Sequence, residues 1–320
     1  MRIAVLDDWQ NVARGVADWS ALERRVDGVA FFREPISGED DLVRALADFE
    51  IVLTLRERTA FPASLIARLP RLRMLGVTGP RVSTIDVPAL VARGVVVCNT
   101  RSDDLGESPA ELALALMLGS ARHLAQGDAN VRIGRFQADM PLGQRLSGKV
   151  LGLIGLGKTG ILMARYGRAL GMRVLAWSEN LTDERAIAEG AERVSKAELL
   201  SSSDVVSLHL VLSERTRSIL RADDLAAMKP GAILVNTSRG PLVEEAALIQ
   251  AVQSGRIFAA LDVFDREPLD PAHPLITAPN TLLTPHLGYA VRHIFERFFQ
   301  DQIENVQAFL DGSPIRRMGI

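Results

Sequence analysis

A chain of 320 residues with 48% hydrophobic and 24% charged residues has an ordinary globular composition, and its length suits two cores better than one. The formal net charge of -2, with no basic stripe interleaved with aromatics, leaves no electrostatic footprint for nucleic acid. The one cysteine, Cys98, excludes an intrachain disulfide and fits a reducing compartment.

The N-terminal run Met1-Arg-Ile-Ala-Val-Leu-Asp7 enters a strand pattern at once and lacks the character of a signal peptide. The most apolar stretch, Leu112 to Leu118, is far shorter than the ~20 residues that span a bilayer, so no membrane partner is expected and the cytoplasm is the expected location. Short β-branched runs at Ile3–Leu6, Val29–Phe32, Ile51–Leu55, Leu72–Val77 and Val95–Cys98 alternate with helical stretches. One of those helices opens on Ser20-Ala-Leu-Glu23, which reads as a capping box. Such alternation implies parallel strands joined by crossover helices, an α/β layer fold.

At Ser108-Pro-Ala-Glu111 three signals agree on a helix start, with Ser108 as N-cap, Pro109 at the first helical position and Glu111 at the third. The helix continues as Leu112-Ala-Leu-Ala-Leu-Met-Leu118, apolar on nearly all faces, and must be covered on most sides. Burial between domains and a dimer interface both explain it.

A second alternating block begins at Lys149. Its expected strands are Val150–Ile154, Arg173–Trp177, Asp204–His209, Ala232–Asn236, Ile257–Val263 and Thr281–Leu283. Its helices include Ile161–Leu170, closed by Gly171, and Glu244–Gln253, closed near Gly255. From Val291 to Leu310 the apolar positions keep a helical period. The Arg316-Arg317 pair beyond it reads as a solvated tail. The pattern suggests two α/β domains with a cleft between them.

The strand Val150–Ile154 ends in Gly155-Leu-Gly-Lys-Thr-Gly160 and a helix follows at once. Glycines at 155, 157 and 160 allow a tight turn and close backbone approach to a pyrophosphate, whose charge meets the helix N-terminus. Leu156, Lys158 and Thr159 complete this candidate dinucleotide turn. The following strand ends Ala176-Trp-Ser-Glu-Asn180, with Ser178 where a ribose-binding acid is expected and Glu179 directly after it, either a carboxylate that repels a 2′-phosphate or a solvated loop acid. No Arg or Lys lies between Trp177 and Asp183 to take a 2′-phosphate, which favours NAD without excluding NADP.

Three further residues sit just past strands or in short stiff loops: Arg239 in Asn236-Thr-Ser-Arg-Gly240, Glu267 in Asp262-Val-Phe-Asp-Arg-Glu-Pro268 and His286 in Thr284-Pro-His-Leu-Gly288. A surface arginine, a loop acid and a structural histidine would explain each one alone. Together they make a device for moving a hydride and a proton. A carboxylate on one imidazole nitrogen fixes the tautomer and favours the protonated ring. That ring can exchange a proton with a carbonyl oxygen, while an arginine fork holds a carboxylate. His123, His273 and His293 form no ligand spacing with Asp, Glu or Cys, so no metal is assigned.

On these motifs, taken in order, the chain resembles the D-isomer-specific 2-hydroxyacid dehydrogenase family over nearly its whole length. The resemblance implies a Rossmann-type NAD-binding domain, residues 101–290, inserted in a discontinuous flavodoxin-like substrate-binding domain, residues 1–100 and 291–320. It implies Arg239 as carboxylate anchor, His286 as acid/base and Glu267 as its partner, interconverting a small D-2-hydroxy acid and its 2-keto acid. Backbone amides near Val77, Thr78 and Gly79 would hold the substrate carboxylate. Asp262 would contact the nicotinamide carboxamide, Thr237 and Ser238 would line the cofactor site with Gly288, and His209 would lie close to the cofactor. A homodimer built on the helix after Ser108 is expected. Where the family often has a glycine–valine–aspartate loop, this chain reads Gly76-Val-Thr-Gly-Pro-Arg81, making Arg81 either a second anion contact or a solvated loop residue. The rival readings are a non-catalytic NAD-sensing corepressor-like module and a formate dehydrogenase on the same scaffold; the latter typically carries glutamine in place of Glu267.

Overall fold

The computed structural model describes residues 1–79, 84–101, 104 and 106–319. They form two compact units: Met1–Asp104 with Val291–Ile320, and Leu105–Ala290. Both are α/β, each built on a wholly parallel sheet among the described residues.

In the first unit, strands β1 (Arg2–Val5), β2 (Gly28–Phe31), β3 (Ile51–Thr54), β4 (Met74–Val77) and β5 (Val96–Cys98) lie in the order β2-β1-β3-β4-β5, the flavodoxin-like doubly wound order. The central strands β3 and β4 are buried at every position, as expected for strands covered by helices on both faces. The C-terminal helix Arg292–Leu310 returns to this unit, and Phe299 packs its ring 5.9 Å from Trp19. Cys98 is fully buried at the end of β5, and burial pushes its thiol up to about 11, consistent with a core filler.

The second unit carries β6 (Val150–Ile154), β7 (Arg173–Trp177), β8 (Glu192–Arg193), β9 (Val205–Leu208), β10 (Ala232–Asn236), β11 (Ile257–Leu261) and β12 (Thr281–Leu283), in the order β12-β11-β10-β9-β6-β7-β8. This is the Rossmann order with one added strand, and its chain reverses direction across the sheet between β6 and β9. The apolar helix Glu107–Ala121 covers part of this sheet through Ala110, Ala113, Leu116 and Met117.

Four expectations about local structure are corrected. The helix at Ser20 has Trp19 as its N-cap and no capping box; Asp18 Oδ1 instead accepts a hydrogen bond from the Ser20 amide at 2.9 Å. Ser108 is likewise not an N-cap. Gly106 takes the left-handed conformation at φ 117°, its carbonyl accepts from Ala110, and the helix begins at Glu107. The helix expected from Ile161 begins at Lys158, because the Gly157 carbonyl already accepts from the Ile161 amide. Arg316 is no solvated tail: its guanidinium donates to Asn305 Oδ1, Glu304 Oε2 and the Asp301 carbonyl at 2.8 to 3.0 Å. Those partners lie on the C-terminal helix, and Met318 then pairs with Val97 at the edge of the sheet.

Candidate active site

In the second unit, Trp177, Ile154, Leu208, Asn236, Leu261 and Leu283 stand in one register row across β7, β6, β9, β10, β11 and β12. The residue after each is Ser178, Gly155, His209, Thr237, Asp262 and Thr284. A parallel sheet therefore delivers six loops to one carboxyl edge, the edge at which open α/β sheets bind ligands.

Gly155 opens the glycine turn at φ 103°. A Cβ there would collide with the His209 carbonyl, and one on Gly160 would collide with the Gly155 carbonyl. The two glycines are thus required by the close approach of β6, β9 and the helix Lys158–Ala169. Gly157 differs, because a Cβ there would meet nothing within 4 Å. It leaves open space at the N-terminus of a three-turn helix, where the helix dipole favours an anion. Leu156 is buried in the second unit's core, Lys158 is exposed and Thr159 lies against Gly106. Ser178 is half-buried and Glu179 exposed at the end of β7.

Two polar atoms on this edge are buried without a hydrogen-bond partner: His209 Nδ1 and Thr237 Oγ1. The other His209 nitrogen, Nε2, shares a 2.9 Å hydrogen bond with Ser207 Oγ. Burial pushes the His209 imidazole down to about 4, so it is neutral at physiological pH. Orphaned atoms flanking a glycine turn fit a dinucleotide, which brings both donors and acceptors.

Arg239 follows β10 on a turn held at several points. The Asn236 amide Nδ2 donates to the Arg239 carbonyl at 2.9 Å, and Asn236 Oδ1 accepts from the Ser238 amide at 3.0 Å. Ser238 Oγ donates to the Leu208 carbonyl on the neighbouring strand at 2.7 Å. The guanidinium of Arg239 donates to the Ser238 carbonyl at 2.7 Å. Gly240 then presses on the main chain of Phe264 and Asp265, leaving no room for a side chain. That contact joins the arginine loop to the loop that carries Glu267.

His286 adopts a left-handed backbone at φ 54°, a conformation that costs a non-glycine residue energy unless its surroundings impose it. Asp262 imposes it. The Asp262 carbonyl accepts from the His286 amide at 2.9 Å. The Asp262 carboxylate, fully buried, accepts from Thr284 Oγ1 at 2.6 Å, the Leu287 amide at 2.7 Å and the Gly288 amide at 2.9 Å. Burial pushes this carboxyl up, while those hydrogen bonds and the nearby His286 oppose the rise. With its loop so clamped, His286 Nδ1 meets Glu267 Oε2 at 2.6 Å, and Glu267 Oε1 accepts from the Phe264 amide at 3.0 Å. The imidazole and carboxylate are 22% and 33% exposed, and the Tyr289 ring stands edge-on to the imidazole at 5.5 Å. A hydrogen-bonded acid–imidazole pair with a solvent-accessible ring can carry a proton to or from a bound molecule.

The first unit holds the remaining candidates. Val77 and Thr78 are buried at the end of β4, and Thr78 Oγ1 accepts from the Arg56 amide at 2.6 Å. The Gly79 amide donates to Thr100 Oγ1 at 2.8 Å, and the Arg56 guanidinium lies against the Gly79 α-carbon. Arg81 lies outside the described residues. Sequence reasoning passed over Asn236 and Thr284 as structural members of the second unit's site and Arg56 beside Gly79. The one available signal was Asn236, a polar residue closing an otherwise apolar strand. No group of His, Cys, Asp and Glu able to hold a metal ion occurs among the described residues, nor is any described helix long and apolar enough to cross a membrane.

Residues 114–288 match the family model described as D-isomer specific 2-hydroxyacid dehydrogenase, NAD binding domain. The chain is 32% identical over 323 residues to a hydroxypyruvate reductase of Blautia hydrogenotrophica, covering 98% of each. It is 35% identical over 306 residues to a D-3-phosphoglycerate dehydrogenase of Archaeoglobus fulgidus, covering 95% of this chain but only 58% of that relative. Among solved structures, a phosphoglycerate oxidoreductase from Vibrio cholerae o395 superposes with a TM-score of 0.91 at 39% identity, covering 98% of this chain and 99% of that one.

Proposed function

The chain belongs to the D-isomer specific 2-hydroxyacid dehydrogenase family, and we propose that it interconverts a small D-2-hydroxy acid and its 2-keto acid using Arg239, Glu267 and His286. It is an NAD-dependent oxidoreductase. When bound, the nicotinamide supplies or accepts the hydride.

Each residue's role follows from its chemistry. The guanidinium of Arg239 offers a planar fork to the substrate carboxylate and carbonyl, and its anchored turn fixes where that fork starts. Glu267 occupies Nδ1 of His286, so Nε2 is the nitrogen that gives a proton to the keto oxygen in reduction and recovers it in oxidation. Glu267 stabilises the imidazolium formed in the oxidative direction. Gly155 to Gly160 hold the pyrophosphate, with His209, Thr237, Ser238, Asp262 and Gly288 around the remainder of the cofactor. Ser178 and Glu179 contact the adenosine ribose, and a carboxylate there disfavours a 2′-phosphate, hence NAD over NADP.

One observation carries this reading: the 2.6 Å pair of Glu267 and His286 stands on the same sheet edge as the glycine turn. An intact glutamate at that pair favours keto acid chemistry over formate oxidation, which needs no proton relay. The direct test is purified protein with NADH and a panel of glyoxylate, hydroxypyruvate, pyruvate and longer 2-keto acids. Oxidation of NADH with at least one member is expected; none with any member, using NADH or NADPH, would remove the proposal.

We also propose a cytoplasmic homodimer formed through the helix Glu107–Ala121 and the segment after it. Leu124, Val131, Ile133, Phe136 and Leu142 are all exposed there, Leu142 at 94%, and clustered exposed apolar side chains favour a protein interface. Sedimentation at micromolar concentration should give about twice the 34.8 kDa chain mass.

A further inference from the structure

We infer that Asn236 is a positioning residue, whose side chain sets the turn that carries Arg239. The inference rests on Arg239 being the carboxylate anchor. Asn236 ends β10 after four buried apolar residues, and it is itself buried. A buried carboxamide must find partners for both its donor and its acceptor. Here both lie in the turn: Nδ2 donates to the Arg239 carbonyl and Oδ1 accepts from the Ser238 amide. The carboxamide thus closes a small ring over Thr237, Ser238 and Arg239. A valine or threonine would suit the strand equally well but would leave this ring open.

The main chain of Asn236 has a separate task. Its carbonyl accepts from the Asp262 amide at 3.0 Å, and Asp262 in turn grips the residues on both sides of His286. Substituting the side chain leaves that main-chain tie in place. The two branches can therefore be separated: a side-chain change should disturb the Arg239 turn and spare the proton-transfer pair. Misplacing an anchoring group by an ångström costs on the order of 10²-fold.

The test compares Asn236→Ala and Asn236→Asp, each alone and combined with Arg239→Ala, by steady-state kinetics with NADH and hydroxypyruvate or whichever 2-keto acid turns over. The Asp variant keeps the volume and the acceptor but sets an oxygen against the Arg239 carbonyl, so it remains informative if the Ala variant folds poorly. Either change alone should lower kcat/KM roughly 10- to 100-fold, chiefly through KM, and in Asn236→Ala the pH profile of kcat should be unmoved. In the Arg239→Ala background the same change should matter by less than about threefold, since coupled residues are not additive. An equal loss in both backgrounds, a displaced pH profile in Asn236→Ala, or full activity of both single variants overturns the inference. Full kcat/KM in Arg239→Ala itself is a different failure: it removes the anchor reading, and this inference with it.

Discussion

His286 Nδ1 and Glu267 Oε2 are 2.6 Å apart, although they lie 19 positions apart in the chain and neither lies in a helix or strand. Each is held from behind, Glu267 by the Phe264 amide and His286 by main-chain bonds to Asp262 and Thr284. If this pair is the acid/base relay, His286→Ala should lower kcat by about 10²- to 10⁴-fold. The dissociation constant for NADH, read by fluorescence, should change little. Glu267→Gln should cost less, on the order of tenfold, because a neutral amide still orients the ring without stabilising its charged form. Unchanged kcat in the alanine variant would remove the proton-transfer role.

Arg239→Lys tests whether the fork, rather than the charge alone, is used. A lysine retains the cation but cannot make two parallel hydrogen bonds to a carboxylate. The loss of one charge-assisted bond, about 1.5–3 kcal/mol, predicts a KM for the keto acid raised by roughly 10- to 100-fold. Saturation curves for parent and variant at fixed NADH decide the matter; overlapping curves would show that point charge suffices.

Two glycines of one turn should fail in different ways. Gly160→Ala drives a methyl into the Gly155 carbonyl and should lower both thermal stability and NADH affinity. Gly157→Ala meets nothing of the chain, so the melting temperature should be close to the parent value while NADH binding weakens by tenfold or more. Calorimetric melting with and without NADH separates the two. Normal NADH affinity in Gly157→Ala would show that the cofactor does not approach this residue closely.

Asp7 and His209 should contribute to stability with opposite pH dependence. Burial pushes the Asp7 carboxyl in the first unit up to about 6, against Thr59 and Arg58, which lower it. With its folded value above the unfolded one, its stabilisation is complete below about pH 4 and is lost as pH rises through 6. His209 in the second unit is pushed down to about 4 from 6.5. Its contribution is complete above pH 6.5 and is lost as pH falls through 4. At 1.36 kcal/mol per pH unit, each is worth at most about 3 kcal/mol. Denaturant unfolding between pH 4 and 7, with Asp7→Asn and His209→Gln beside the parent, should show each variant losing one of these two slopes. Parallel curves for all three proteins would contradict both assignments.

The strands of both sheets were legible because buried parallel strands are continuous apolar runs, as in Ala232–Asn236, and glycine-bounded turns punctuate them. The exception is β8, two polar residues at a sheet edge, where no periodicity can be read in so short a span. Helix starts were less legible. Ser108 had the right chemistry for an N-cap, yet the left-handed Gly106 packed against Thr159 set the start earlier. Arg316 read as solvated because its partners Asp301, Glu304 and Asn305 lie on the previous helix, facing a tail whose return sequence alone does not show.

The residue types at the sheet edge were written in the chain: a glycine turn after one strand, and an arginine, an acid and a histidine after later ones. Local rules suffice for that, since turn geometry and strand patterning depend on near neighbours. Which side chains meet was decided by the tertiary structure. Parallel register brings the ends of six strands into one row, and only then do Asn236, Asp262 and Thr284 become clamps. Hydrogen bonds over a few ångströms require groups far apart in sequence to be fixed together. Packing of strands and helices supplies that constraint, which no single segment contains.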